Sequence, residues 1–180
     1  MIIGITGTIS AGKGTIADYL VEKGFKHYSV RDFLLNEIKE RGMPETRESM
    51  VLVANELREE FGASYIVEKL YAMANGKNAV IESIRCVGEV MALRKKKDFV
   101  LFAADAEIKL RYDRAVKREN MTDDITFEKF VEEEEREINN TDINKQNLLK
   151  CIELADYVFI NEDTIEELQK KIEGVLNEIK

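Results

Sequence analysis

The chain has 180 residues, 44% of them hydrophobic, the size of one domain with enough apolar material for a core that needs no disulfide or metal staple. Its 27 Lys and Arg stand against 35 Asp and Glu, and the net charge of −8 repels a phosphate backbone, which argues against nucleic acid as a partner. Cys86 and Cys151 lie far apart, with no second sulfur or histidine at ligand spacing, so they argue against a metal cluster and read as small apolar residues in a reducing compartment.

Met1 leads straight into a strand-like run with no basic-then-apolar leader, and no apolar stretch approaches the roughly 18 to 20 residues that span a bilayer. A cytoplasmic protein with no membrane partner is expected. Short apolar runs alternate with longer segments of helical period, the pattern of parallel strands joined by crossover helices, so the fold class is α/β. The expected strands are Ile2 to Thr6, Phe25 to Ser29, Ala79 to Glu82, Phe99 to Ala103 and Tyr157 to Ile160, each read as buried on both faces.

Gly7-Thr8-Ile9-Ser10-Ala11-Gly12-Lys13-Gly14-Thr15 follows the first strand and opens the first helix, and it fits GxxxxGK in the context that motif requires. Glycines let the chain curl so that successive N–H groups point at phosphate oxygens, and the helix N-terminus adds its partial positive charge at the same place. Gly7, Thr8, Ser10, Ala11, Gly12, Lys13, Gly14 and Thr15 are therefore the candidate phosphate contacts, with Lys13 reaching the outer phosphates. Gly14 stands where many such loops carry a hydroxyl for Mg²⁺, which leaves Thr15 as the first available one.

Further along, Ile16, Ala17, Leu20 and Val21 form one core-facing stripe and Met50, Val53, Leu57 and Phe61 another. His27 falls inside the second expected strand, where a single imidazole reads as structural. Ser29 and Asp32 follow it, as the capping end of a helix or as an acceptor contact. Pro44 sits in a turn whose Thr46 suits a helix cap. Arg58 can reach the same acceptor pocket or pair with a glutamate on a solvated face.

The third expected strand ends in Glu82 and leads to Ser83-Ile84-Arg85. A carboxylate at that end of a strand can orient Mg²⁺ through water, and the arginine can clamp a phosphoryl oxygen. After the fourth strand Asp105 can cap a helix that carries Arg111, Arg114 and Arg118 on one face, either an ordinary basic face or guanidinium groups that close over transferring phosphates. The polar stretch 119–124 reads as a small lid, and the run Glu132 to Glu135 as a solvated helix face. Asn161 ends the fifth strand, and Asp163 with Glu166 suits a capping box for a last amphipathic helix.

Gly12-Lys13-Gly14-Thr15 resembles the phosphate loop of adenylate kinases and other nucleoside monophosphate kinases, and Ile2 to Leu20 also resembles the opening of dephospho-coenzyme A kinase. Glu82-Ser83-Ile84-Arg85 resembles the Asp-Gly-Phe-Pro-Arg segment of the monophosphate kinases, one residue shorter and with Glu for Asp. Ser29 to Leu35 resembles their Gly-Asp-Leu-Leu-Arg stretch, with Asp32 in place but Arg31 where the family has glycine and Leu35 where it has arginine. Leu154 to Asn161 resembles the Ala-Asp-x-x-Ile-x-Asn run of dephospho-coenzyme A kinases, near the adenine. The likeness covers nearly the whole chain and looks closest to an uncharacterised, largely archaeal family of predicted nucleotide kinases.

That resemblance implies a three-layer P-loop NTPase fold: a five-stranded parallel sheet, helices on both faces, and one domain over 1–180 with a short helical lid at about 111–126. It implies ATP and Mg²⁺ as cofactors and phosphoryl transfer to a small nucleotide-like acceptor, a nucleoside or deoxynucleoside monophosphate or dephospho-coenzyme A. Lys13, Arg85, Arg114 and Arg118 are then the catalytic candidates, and Asp32, Arg58 and Arg85 those for the acceptor. Asn161 is expected at the base, and Thr15 and Glu82 at Mg²⁺. A GTPase switch is disfavoured, since none of the ten glycines has an aspartate three residues before it. The other reading is a P-loop ATPase or nucleotide-driven binding module with no small acceptor.

Overall fold

The computed structural model describes residues 1–117, 126–138, 142 and 145–179. Its sheet has five strands, β1 (Ile2–Gly7), β2 (Lys26–Ser29), β3 (Ala79–Glu82), β4 (Phe99–Asp105) and β5 (Tyr157–Ile160). Their order across the sheet is β2-β3-β1-β4-β5, with every neighbouring pair parallel. β1 lies in the middle because its apolar run is buried on both faces.

The outer strands correct the expectation of burial on both faces. In β2 Lys26 and His27 are exposed, and in β5 Val158 and Ile160 are 48% and 47% exposed. An edge strand covered by one helix layer has a side left to water.

One face carries α1 (Lys13–Glu22) and α9 (Ile165–Glu178), which pack Ile16, Leu20, Leu168 and Ile172 onto Ile3, Ile5 and Phe102. The other carries α2 (Val30–Glu40), α3 (Arg47–Phe61), α4 (Tyr65–Ala74), α5 (Val87–Arg94) and α8 (Leu148–Glu153), whose apolar sides meet Ile2, Ile81 and Leu101. Helices on both faces of a parallel sheet make the three layers of a P-loop NTPase fold. Between β4 and α8 run α6 (Ile108–Lys117) and α7 (Phe127–Ile138).

Helix starts follow local hydrogen-bond chemistry. Ser29 accepts from the Asp32 N–H, Thr46 from that of Ser49 and Thr164 from that of Glu167. The cap of α9 is thus Thr164, one residue later than expected, and Asp163 instead pairs with Lys171. At α6 the carboxylate that caps is Glu107, which accepts from the Leu110 N–H, not Asp105. Two residues assigned to core stripes are exposed, Val21 at 44% and Phe61 at 52%; Phe61 stacks on Tyr65 at 4.6 Å between ring centroids. Both cysteines are free and buried, and burial raises both thiols. Among the described residues no helix is long and apolar enough to cross a membrane.

The order places β3 and β4 on either side of β1, so the chain leaves β1 in one direction and later returns on the other. In open parallel sheets the crevice at such a reversal, above the strands' carboxyl ends, is where ligands bind. Here Ile5 is in register with Glu82, and Gly7 with Ala104, so the turn after β1 emerges between Glu82 and Asp105.

Phe102 anchors the layer beneath that crevice, fully buried and edge-on to Tyr157 and Phe159. Phe102→Ala is expected to lower stability by about 3–5 kcal/mol, read as a fall in the denaturant midpoint with an unchanged slope.

Candidate phosphate-binding site

The turn from β1 into α1 has the shape its glycines permit. Gly7 has φ 137° and Gly12 φ 101°, where side chains are strained. A Cβ on Gly7 would lie 2.1 Å from the Ala104 carbonyl oxygen, and one on Gly12 2.2 Å from Asn161 Nδ2. Ser10 is also left-handed, at φ 59°. A Cβ on Gly14, by contrast, would meet nothing within 4 Å, so packing does not require glycine there.

The loop is held from behind. Asn161, 8% exposed, donates from Nδ2 to the Ala11 carbonyl at 2.8 Å, and its own N–H bonds the Asp105 carbonyl. Thr8 donates its hydroxyl to Asp105 Oδ1 at 2.7 Å. The Thr8 and Ala11 amides are spent inside the protein, on the Ala104 and Thr8 carbonyls, so they are not aimed at a ligand here. Lys13 Nζ stands 3.0 Å from the Gly7 oxygen and 2.7 Å from that of Thr8. The ammonium therefore sits at the mouth of the loop, on the carbonyls at its start. The first turn of α1 presents its amides to the same opening.

Carboxylates flank this opening. Glu82 ends β3 and contacts His27 across the strand pair, Oε2 to Nε2 3.1 Å. Burial alone would raise the Glu82 carboxyl, but the His27 hydrogen bond and the charges of His27, Lys13 and Arg85 outweigh it and lower the pKa. Glu82 in turn raises that of His27, chiefly through the same hydrogen bond, with a contribution from the nearby charge of Asp32. His27, read from sequence as structural, is thus the neighbour of a site carboxylate. Asp32 itself is exposed, in the first turn of α2.

No group of three or more His, Cys, Asp or Glu among the described residues forms a cage for a metal. Glu82 and Asp105 end the strands on either side of β1 and Thr15 lies in the first turn of α1, oxygen donors of the kind that suit a hard cation held largely by its nucleotide, which is how Mg²⁺ is usually bound.

On the acceptor side Arg85 follows Ser83, a left-handed residue at φ 70°. Glu89, wholly buried, fixes this turn: Oε2 accepts from the Arg85 and Cys86 amides, and Oε1 from Arg58 Nη2 at 2.9 Å. Arg58 is therefore not on a solvated face, and the glutamate it pairs with belongs to α5 and not to its own helix. It is 3% exposed, and its Nε and Nη1 have no hydrogen-bond partner. It stands behind Arg85. The signal for Glu89 was available in the sequence, since a glutamate three residues after Cys86 matches the reciprocal end of a capping box.

Arg85 Nη1 donates to Glu137 Oε2 at 2.8 Å, and Arg47, at the start of α3, bonds both Glu133 and Glu137. On α6, Arg114 keeps a buried Nη1 without a partner, and Arg118 lies outside the described residues. Among the described residues, the arginine hydrogen-bonded to the phosphate loop is Arg111. It is 4% exposed, donates from Nη1 to the Ile9 carbonyl at 3.3 Å and from Nε to the Ala106 carbonyl, and is paired bidentately with Glu134. Part of the expected solvated run is therefore internal: Glu134 is buried and Glu133 half-buried, whereas Glu132 and Glu135 face water.

The family described as AAA domain matches residues 3–140. The UPF0200 protein of Methanocaldococcus jannaschii is 33% identical over 184 residues, covering 99% of this chain and 90% of its own length. Among solved structures, the dephospho-CoA kinase of Campylobacter jejuni is similar with a TM-score of 0.58 at 13% identity, over 99% of this chain and 97% of that one. Shikimate kinase from Acinetobacter baumannii, in complex with shikimate, also has a TM-score of 0.58, at 15% identity over 99% and 94% of the two chains. Identities this low carry the fold alone, which is that of P-loop kinases.

Two outcomes follow from the paired charges. Arg58→Ala leaves Glu89 buried without its cation, and is expected to cost about 3–5 kcal/mol in chemical denaturation. For His27, a pKa raised by folding means stabilisation that is full below its unfolded value near 6.5 and lost as pH rises through the folded one. Glu82, lowered by folding, contributes above its unfolded value and loses that contribution in acid. His27 is partly exposed, so His27→Gln is expected to cost at most about 1 kcal/mol at pH 6 and close to nothing at pH 9, compared by melting at the two values.

Proposed function

The chain belongs to the UPF0200 family and to the family described as AAA domain, and from that premise we propose that it is an ATP-dependent phosphotransferase, moving the γ-phosphoryl group to a small nucleotide-like acceptor. The observation that carries this reading is the loop from Gly7 to Lys13: left-handed at Gly12, braced by Asn161 and Asp105, and closed by the Lys13 ammonium at the end of the central strand. Such a loop supplies main-chain dipoles and one mobile cation to a chain of phosphates.

In this reading Lys13 exchanges the Gly7 and Thr8 carbonyls for donor phosphate oxygens, leaving two weak acceptors for an anion. The α1 amides orient the donor. Mg²⁺, when bound with the nucleotide, would neutralise charge between the β- and γ-phosphates, with Thr15, Glu82 and Asp105 as the residues to hold it or its waters. Arg85, whose backbone Glu89 fixes, orients the acceptor, and Asp32, in the first turn of α2, is the second candidate to contact it. Arg114 and Arg118 remain the candidates for charge that spreads over the transferring group. Transfer of this kind needs positioning and electrostatics rather than covalent help from the protein.

Asn161 and Arg58 take supporting parts in this account. Asn161 keeps the loop open from behind, and Arg58 acts on Arg85 through Glu89. The acceptor classes supported by the sequence likeness are nucleoside and deoxynucleoside monophosphates and dephospho-coenzyme A. The family description as an AAA domain supports a second reading, ATP hydrolysis that drives a change of shape without a small acceptor.

One assay separates the two. Purified protein with ATP and Mg²⁺ is screened against each nucleoside monophosphate and dephospho-coenzyme A, and the kinase reading expects ADP and phosphorylated acceptor in equal amounts with one of them. Acceptor-independent hydrolysis would favour the module. Lys13→Ala is expected to lower transfer at least a hundredfold, about 2.7 kcal/mol of barrier, with an unchanged circular dichroism spectrum; undiminished turnover would refute the donor site.

A further inference from the structure

Helix α7 places three carboxylates on three arginines that come from three other parts of the chain. Glu134 takes Arg111 of α6, Glu137 takes Arg85 after β3, and Glu133 with Glu137 takes Arg47 at the start of α3. Glu137 is the point of convergence: Arg47 Nη2 bonds its Oε1, and Arg85 Nη1 bonds its Oε2 at 2.8 Å, so two guanidinium groups grip opposite oxygens of one carboxylate. The Glu137 side chain is 6% exposed, whereas those of Arg47 and Arg85 are 38% and 30% exposed.

This arrangement is costly as mere structure. A carboxylate withdrawn from water pays a desolvation penalty that an apolar residue would avoid, and α7 already has an apolar contact with α6 through Phe130 and Tyr112. What two converging guanidinium groups select is an oxyanion with two oxygens along one edge. A phosphate monoester offers the same edge with nearly twice the charge at neutral pH. The place is also right. The Arg85 backbone is fixed by Glu89, next to the strand end that carries Glu82, and one turn back along α7 Glu134 holds the arginine that touches the phosphate loop at Ile9.

Building on the kinase reading, we propose that Arg47 and Arg85 together are the seat of the acceptor's phosphate monoester, and that the Glu137 carboxylate occupies this seat until that phosphate displaces it. Arg47 becomes an acceptor-binding residue, and the acceptor is one that already carries a phosphate, not a neutral sugar or a carboxylic acid. Displacement of Glu137 breaks its bonds to Arg47 and Arg85 and leaves Glu133 on Arg47 as the remaining tie of α7 to α3, so acceptor binding loosens the helix that also pairs with Arg111.

The test is inorganic phosphate binding to the full chain by calorimetry, against chloride at equal ionic strength, in a Lys13→Ala background that weakens the competing phosphate loop. Arg47→Gln is expected to weaken phosphate binding about tenfold, and Glu137→Gln, which removes the competing charge, to tighten it about tenfold. Unchanged affinity in Arg47→Gln overturns the proposal, as does unchanged or weaker affinity in a folded Glu137→Gln. Should Glu137→Gln fail to fold, the Arg47→Gln comparison decides alone. Because the readout is phosphate bound rather than phosphate transferred, a chain that transfers nothing can still satisfy it, and a competent kinase can still fail it.

Discussion

The Lys13 ammonium, seated on the Gly7 and Thr8 carbonyls, is the contact around which the rest of the site is arranged. The loop that carries it spends its Thr8 and Ala11 amides on carbonyls of the protein, and it must also tolerate left-handed backbone at Ser10 and Gly12. Its shape is held by what surrounds it. Asn161 binds the Ala11 carbonyl, Asp105 the Thr8 hydroxyl and Arg111 the Ile9 carbonyl, so three separate parts of the chain, at the ends of β5 and β4 and on α6, grip successive parts of the loop.

These braces come from the parallel order of the sheet. With β4 beside β1 and β5 beside β4, Asp105 and Asn161 at the ends of those strands arrive next to the loop with no further device. On the other side β3 delivers Glu82 and then Arg85, where Glu89 and Arg58 hold the backbone from within the core. The donor and acceptor halves are joined by α7, whose glutamates balance the buried Arg111 on one side and the partly exposed Arg47 and Arg85 on the other. The net negative charge of the chain is therefore not uniform at the site, where cations are concentrated and compensated by carboxylates of the same chain.

Much of the fold was legible in the sequence, and the reasons are local. The five strand runs are short and apolar between helical stretches, and the phosphate loop is an unbroken motif in its required place. Thr46 as a cap was legible because capping chemistry acts over three residues. The cap of α9 was misplaced by one residue because Asp163 and Thr164 both suit that position. Burial at the edges was overestimated because an apolar run does not say whether a strand has a neighbour on each side.

The charged residues were the harder part, since pairing partners far apart in sequence leave no periodic trace. Arg58 and Glu89 are 31 residues apart, Arg47 and Glu137 are 90 apart, and a run of glutamates looks the same whether its helix faces water or arginine. In the sequence Arg111, Arg114 and Arg118 have the same helical spacing, and only the path of α6 past Ile9 distinguishes Arg111. The account as a whole is tested most directly by equilibrium titration with ATP, ADP and adenosine in the presence of Mg²⁺. It predicts that ATP and ADP bind at least tenfold more tightly than adenosine, because the phosphate tail carries the affinity. Equal binding of all three, or of none, would contradict it.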